Sequence, residues 1–246
     1  MTPAAQLLTL LVSGHLLADF AFQTRRMVEG KRRLGGLALH ALVVAVVQAA
    51  VAWPFLVPAA APLLLGLAIL HAAIDRTKAA LPRRMRLRTF LADQAAHGIV
   101  LVLVWIAWRR LAGWPGPLHA DAVSFVQPWT LVAAIAAAYA FSWTGGAVIV
   151  SGVLERHQLD EGNDRISEEE RSRGRTIGIL ERVILLTLVI VGEWAALGFV
   201  IAAKSIARFK DFDDRDFSER YLIGTLVSVL VAIASGLAVR ALLQLG

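Results

Sequence analysis

No cysteine occurs in the 246-residue chain. That excludes disulfides, thiolate catalysis and every Cys-ligated zinc or iron–sulfur site, so any bound metal has to sit on His, Asp, Glu or backbone oxygen. Charge is scarce too, at 18% of residues against 57% hydrophobic, where a soluble domain carries about a quarter. Mean hydropathy is +0.64, and several apolar runs reach the roughly 18 residues that cross a hydrocarbon core. A soluble enzyme, a disulfide scaffold and a disordered tail are all excluded. The composition implies an all-α, polytopic membrane protein. Its 25 basic residues, mostly Arg, outnumber 19 acidic ones. In a membrane protein basic loops follow from topology, so a nucleic-acid partner is not expected. Abundant Ala and Arg with the lone Asn163 fit a GC-rich bacterial genome and an inner-membrane location.

Seven spans are expected, at about Ala4–Phe22, Leu34–Trp53, Ala59–Ile74, Phe90–Trp108, Trp129–Leu154, Ile177–Ala203 and Tyr221–Leu243. Pro54, Pro58 and Pro62 between the second and third predict a tight hairpin. The first lacks a basic n-region and a small-residue cleavage site, and so reads as a span rather than a signal peptide. Arg25, Arg26, Lys31, Arg32 and Arg33 follow span one, and Arg76, Lys78, Arg83, Arg84, Arg86 and Arg88 follow span three. The positive-inside rule makes these loops cytoplasmic and the N-terminus periplasmic. The stretch 155–176, with five arginines, also falls inside, as a solvated and partly helical loop. One loop protests: Lys204–Arg220, equally basic, falls outside on a seven-span count, so either it is an exception to the rule or Ile177–Ala203 does not cross simply. The organisation expected is a four-span part over 1–110 and an extracytoplasmic loop over 111–128. A three-span part over 129–246 follows, containing the charged loop.

Ionisable groups within spans are costly and mark function by default. Span one carries His15 and Asp19, span three His71 and Asp75, span four Asp93 and His97. Each pair is spaced i, i+4 and shares a helix face. On the two inward-running spans His precedes Asp, and on the outward-running one Asp precedes His. In all three, Asp therefore lies nearer the cytoplasm and His about 6 Å deeper. His40 of span two falls at the histidine level. A ring of His15, His40, His71 and His97 above a ring of Asp19, Asp75 and Asp93 needs a shared centre.

Imidazole and carboxylate at one depth suit a divalent metal, with Zn first and Mn or Fe as alternatives. All seven residues are candidate ligands. The three aspartates are also candidate catalytic groups, Asp75 above all, because Lys78 follows it by one turn and can steer an anionic head group. Gln23 and Gln94 lie at the same edge and could orient a substrate. Buried His–Asp pairs also serve as interhelical hydrogen bonds, the competing reading for any single pair. His119 and His157 take no role. In the C-terminal part Glu181 could reach the centre or, as the blander reading, bridge to Arg182. Glu193 sits inside span six, and Gly145, Gly146, Gly192 and Gly198 are expected to pack helices closely.

These motifs resemble a known family. Gly14-His15-Leu16-Leu17-Ala18-Asp19-Phe20 with Gln23, then His71-Ala72-Ala73-Ile74-Asp75, then Asp93-Gln94-Ala95-Ala96-His97, are similar to a bacterial inner-membrane family termed domain of unknown function 3307. The stretches Gly178–Arg182 and Ala202–Phe209 look like the C-terminal part of its longer members. The family brings no established activity. The intramembrane His/Asp pattern is loosely similar to membrane-bound metal-dependent hydrolases, including those of the LexA-regulated type. That likeness implies hydrolysis of an ester, amide or phosphoester on a lipid-like or small-molecule substrate at the inner leaflet. A metal-ion or proton-coupled carrier using the same residues is the second expectation, and a non-catalytic membrane scaffold the third.

Overall fold

The computed structural model describes residues 1–80, 86–111, 125–161, 168–209, 213 and 215–244. Described residues form helices and turns only, so the all-α reading holds. The helices are α1 (Pro3–Phe20), α2 (Arg25–Gly30), α3 (Leu34–Val51), α4 (Ala61–Ala80), α5 (Arg86–Leu111), α6 (Val126–Ala140), α7 (Gly146–Glu161), α8 (Glu168–Val191), α9 (Trp194–Ala207) and α10 (Arg215–Gln244). Two compact units result, Met1–Ala137 and Ala138–Gln244. Among the described residues five helices are long and apolar enough to cross a membrane: Leu34–Val51, Pro58–Ala80, Leu87–Leu111, Val126–Glu155 and Phe217–Gln244. The chain is thus a polytopic helical membrane protein, and these five helices coincide with five of the seven spans expected. α1 is long enough, but Gln6, His15 and Asp19 dilute it. α8 spends its first turns on charged residues.

In the first unit α1, α3, α4 and α5 pack in cyclic order, each against the next and α5 back against α1. Leucines on α3, α4 and α5 such as Leu42, Leu65 and Leu103 are exposed, while four histidines and three aspartates are buried. Apolar outside and polar inside is the arrangement a lipid solvent favours. Two 3₁₀ turns, Trp53–Phe55 and Pro58–Ala60, make the α3–α4 hairpin where the prolines placed it. Trp105 Nε1 donates to the Ala4 carbonyl at 2.9 Å and Trp129 Nε1 to the Val51 carbonyl at 2.8 Å. Both satisfy backbone oxygens at the hairpin end of the bundle. Around them Leu7, Leu10, Leu11, Leu67, Val104 and Trp108 belong to one apolar core.

α2 is the short helix that returns the chain from α1 to α3. Thr24 caps it, accepting from the Met27 N–H at 3.3 Å. A side chain at Gly36 would run into the Gly30 carbonyl oxygen, so α2 and α3 can approach only because that position is glycine. This close approach carries Lys31 into the bundle.

In the second unit a π-helical turn, Phe141–Gly145, joins α6 to α7. The expected span Ile177–Ala203 is corrected: it is two helices. α8 ends at Val191, Gly192 takes a φ of +95°, and Glu193 precedes the first turn of α9. Arg182 reaches Ser228 and Arg240 reaches the Val189 and Ile190 carbonyls, so α8 and α10 run parallel. α9 therefore returns, and Lys204 pairs with Glu181 at 2.5 Å. Glu181 bonds to Lys204, not to Arg182. The glycines divide in role as well. Gly146 gives room to Arg182, Gly192 makes the break, and a side chain at Gly198 would meet nothing within 4 Å. The expected loop 155–176 is largely helical, since α7 reaches Glu161 and α8 starts at Glu168.

Candidate metal centre

Four helices deliver the seven predicted residues to one place. The i, i+4 spacing keeps each His and Asp on the inward face of its helix, and the cyclic packing turns those faces together. All four imidazoles touch: ring centroids are 4.8 Å apart for His15–His97, 4.2 Å for His71–His97, 5.1 Å for His40–His71 and 5.4 Å for His15–His71. Each of the seven side chains is buried. His119 lies outside the described residues, and nothing is described of the His157 side chain.

The tightest convergence lies between α1, α3 and α4. His40 Nε2 and His71 Nε2 are 3.1 Å apart. Asp19 Oδ1 lies 3.2 Å from the first and 3.3 Å from the second. Asp75 Oδ2 lies 3.3 Å and 3.4 Å from the same two nitrogens. A tetrahedral zinc ion with bonds of about 2.0–2.1 Å would separate its ligand atoms by about 3.3–3.4 Å. The three contacts among Asp19 Oδ1, His40 Nε2 and His71 Nε2 thus fall at or slightly below the edge length of one coordination tetrahedron, and Asp75 Oδ2 lies beside the same two nitrogens. Three overlapping groups have ligand atoms close enough to share an ion: His15, Asp19 and His97; Asp19, His40 and His71; His71, Asp75 and His97.

Unpaired atoms give an independent test of fit. Asp75 Oδ2, Asp93 Oδ1 and His97 Nε2 are buried without a hydrogen-bond partner, although such groups are nearly always paired. His97 is the clearest. Its Nδ1–H donates to the Asp93 carbonyl at 2.9 Å, which fixes the tautomer and leaves Nε2 a bare lone pair, as in histidine ligands oriented from behind. Nitrogen and carboxylate donors with no sulfur suit Zn, Mn or Fe. The residues fit a divalent metal.

Around the centre stands a polar collar. Gln23 Nε2 donates to His40 Nε2 at 2.9 Å, using the lone pair that would face an ion, so ion binding has to displace that contact. His15 Nε2 donates to Gln94 Oε1 at 3.4 Å, and Gln94 Nε2 donates to Asp93 Oδ2 at 3.1 Å. Lys78 Nζ lies 2.6 Å from Asp93 Oδ2, not on the Asp75 of its own helix. Sequence reasoning missed Lys31, which it counted as a loop charge. Lys31 is buried, with Nζ 2.7 Å from Asp75 Oδ1. A signal was present: the chain has only four lysines among 25 basic residues. The three whose side chains are described, Lys31, Lys78 and Lys204, each end on a carboxylate.

Residues 7–116, which hold the whole centre, match the family described as Protein of unknown function (DUF3307). The chain matches no curated protein and no solved structure. It is a membrane protein whose N-terminal unit is similar to that family and carries buried His/Asp groups able to coordinate a metal.

Proposed function

We propose that the chain is a metal-dependent integral-membrane hydrolase acting on an ester, amide or phosphoester of a lipid-like substrate. It sits in a bacterial inner membrane, with the centre near the cytoplasmic leaflet and the N-terminus periplasmic. The observation that carries this reading is the convergence of Asp19, His40 and His71 at the spacing of ligands to one ion, with Asp75 beside the same two imidazoles. In this assignment Asp19, His40 and His71 would hold a zinc-type ion, and Asp75 stands beside them as the base. His97 and His15 complete the wall behind it.

When bound, the ion supplies Lewis acidity, lowering the pKa of a water and polarising the bond to be cleaved. The chain's own groups do the rest. Lys31 pins Asp75 Oδ1, which leaves Oδ2 aimed at the centre to take the proton of the attacking water. The proton then passes to the leaving group. Lys78, half exposed and paired with Asp93, is positioned to meet an anionic head group.

Asp75→Asn separates the roles. A base variant keeps its metal and loses turnover by about 10²-fold or more. If Asp75 is a ligand instead, metal and turnover fall together. Unchanged turnover with unchanged metal contradicts the assignment.

A carrier using the same centre is the second reading, and Gln48 favours it. Gln48 is buried about two turns deeper than His40, donates to the Leu11 carbonyl at 3.0 Å and leaves Oε1 unpaired. The leucine and tryptophan core beyond it offers an ion no polar lining, which is why hydrolysis is preferred.

A further inference from the structure

An ion on Asp19, His40 and His71 leaves one lone pair of the bundle without a use. His97 Nε2 is buried and has no hydrogen-bond partner among the described residues. The residue is 2% exposed and is held from behind by the Nδ1–H bond to the Asp93 carbonyl. His15, 4% exposed, stands beside it with ring centroids 4.8 Å apart. Neither imidazole is among the first ion's three ligands. A buried polar atom left unpaired costs desolvation free energy, so this lone pair calls for a ligand of its own.

Two of the three groups able to share an ion include His97, and the ligand each would share with the first ion separates them. The group His71, Asp75 and His97 draws on His71, whose Nε2 already faces Asp19 and His40. An imidazole nitrogen has one lone pair, and the first ion takes it. The group His15, Asp19 and His97 shares only a carboxylate, which has two oxygens. Asp19 Oδ1 lies 3.2 Å and 3.3 Å from the His40 and His71 nitrogens, while its Oδ2 lies 4.0 Å from His15 Nε2. One aspartate of α1 thus offers an oxygen to each position. The ligand atoms of this group lie within 4.8 Å of one another. A tetrahedral ion asks for about 3.3–3.4 Å, so small turns of the two imidazoles have to close the rest.

We infer that His15, Asp19 and His97 form a second, weaker divalent-metal site, bridged to the first through the Asp19 carboxylate. Paired ions of this kind stand about 3.5–4 Å apart. The inference rests on the metal reading of the centre and not on hydrolysis. Charge makes the second site the weaker one. Three aspartates against Lys31 and Lys78 leave one net negative charge, the ligand histidines being neutral. The first divalent ion turns the centre positive, and the second has to enter against that field. It also has to displace the 3.4 Å contact between His15 Nε2 and Gln94. Dialysis therefore removes the second ion and leaves the first.

The test strips the purified full chain with chelator, titrates it with Mn²⁺ and counts bound ions by equilibrium dialysis. Wild type takes up two per chain, the second about tenfold or more weaker than the first. Its electron paramagnetic resonance spectrum passes from that of an isolated ion to that of a spin-coupled pair as the second enters. His97→Ala and His15→Gln each stop at one tightly held ion and keep the isolated spectrum. Saturation of wild type at one ion would overturn the second site and leave the first intact, whereas no uptake at all would overturn both. Two ions without spin coupling, or two in both histidine variants, would place the second ion elsewhere and overturn the inference. The wild-type spectrum decides the matter even where a variant fails to fold.

Discussion

His97 and Asp75 illustrate how a buried polar side chain declares its purpose through the half that is satisfied. His97 is tied at Nδ1 and bare at Nε2. Asp75 is tied at Oδ1 by Lys31 and without a hydrogen bond at Oδ2. In each case the satisfied atom aims the other at the centre. Lys31 is then the natural residue to perturb. A bound divalent cation and the Lys31 ammonium both compensate Asp75, so Lys31→Met strips the chelated protein of its only charge partner at Oδ1. Breaking a buried pair from one side costs about 3–5 kcal/mol. The chelated Lys31→Met protein should therefore unfold well below chelated wild type, and added zinc should recover most of the difference. Denaturation with and without metal measures it. Equal losses in both states would mean that Lys31 packs α2 and has no electrostatic link to the centre.

α8 and α9 change the topology that hydropathy implies. The run Ile177–Ala203 has the length of a single span, and after Glu181-Arg182 near its start no charged residue interrupts it except Glu193. Only the parallel course of α8 and α10, with Arg240 on the last carbonyls of α8, shows that the chain turns back. The return removes the one offence against the positive-inside rule, because the basic stretch after Lys204 then shares a side with the stretch before α8. Reporter fusions after residues 28, 164 and 211 should accordingly report one side, and fusions after residues 58 and 244 the other. Opposite sides for 164 and 211 would restore the single crossing. The turn itself depends on Gly192. At φ +95°, with Arg240 Nη1 2.6 Å from where a side chain would start, Gly192→Ala should cost about 1–3 kcal/mol. Thermal denaturation against Gly198→Ala, whose added methyl meets nothing within 4 Å, isolates that strain.

For the whole molecule, what the sequence disclosed followed from periodicity and cost. Three i, i+4 pairs and His40 were legible because a charge in lipid has to be bought by function, and helical geometry fixes which face it takes. The four-helix ring and the proline hairpin followed from the same spans. The Gly192 turn and the Lys31 contact were not legible. Both depend on which helix packs beside which, and a loop lysine looks the same whether it is solvated or folded inward. The metal claim now rests on three atoms, from Asp19, His40 and His71, spaced as ligands of one ion. Metal content of purified full-length protein, measured per chain by elemental analysis, tests it most directly when wild type is compared with His40→Ala and His71→Ala. The account predicts about one divalent ion per chain in wild type and at least tenfold lower occupancy in either variant, with helical content unchanged. Stoichiometric metal retained in both variants, or none in wild type prepared with zinc, manganese and iron each in turn, would contradict it.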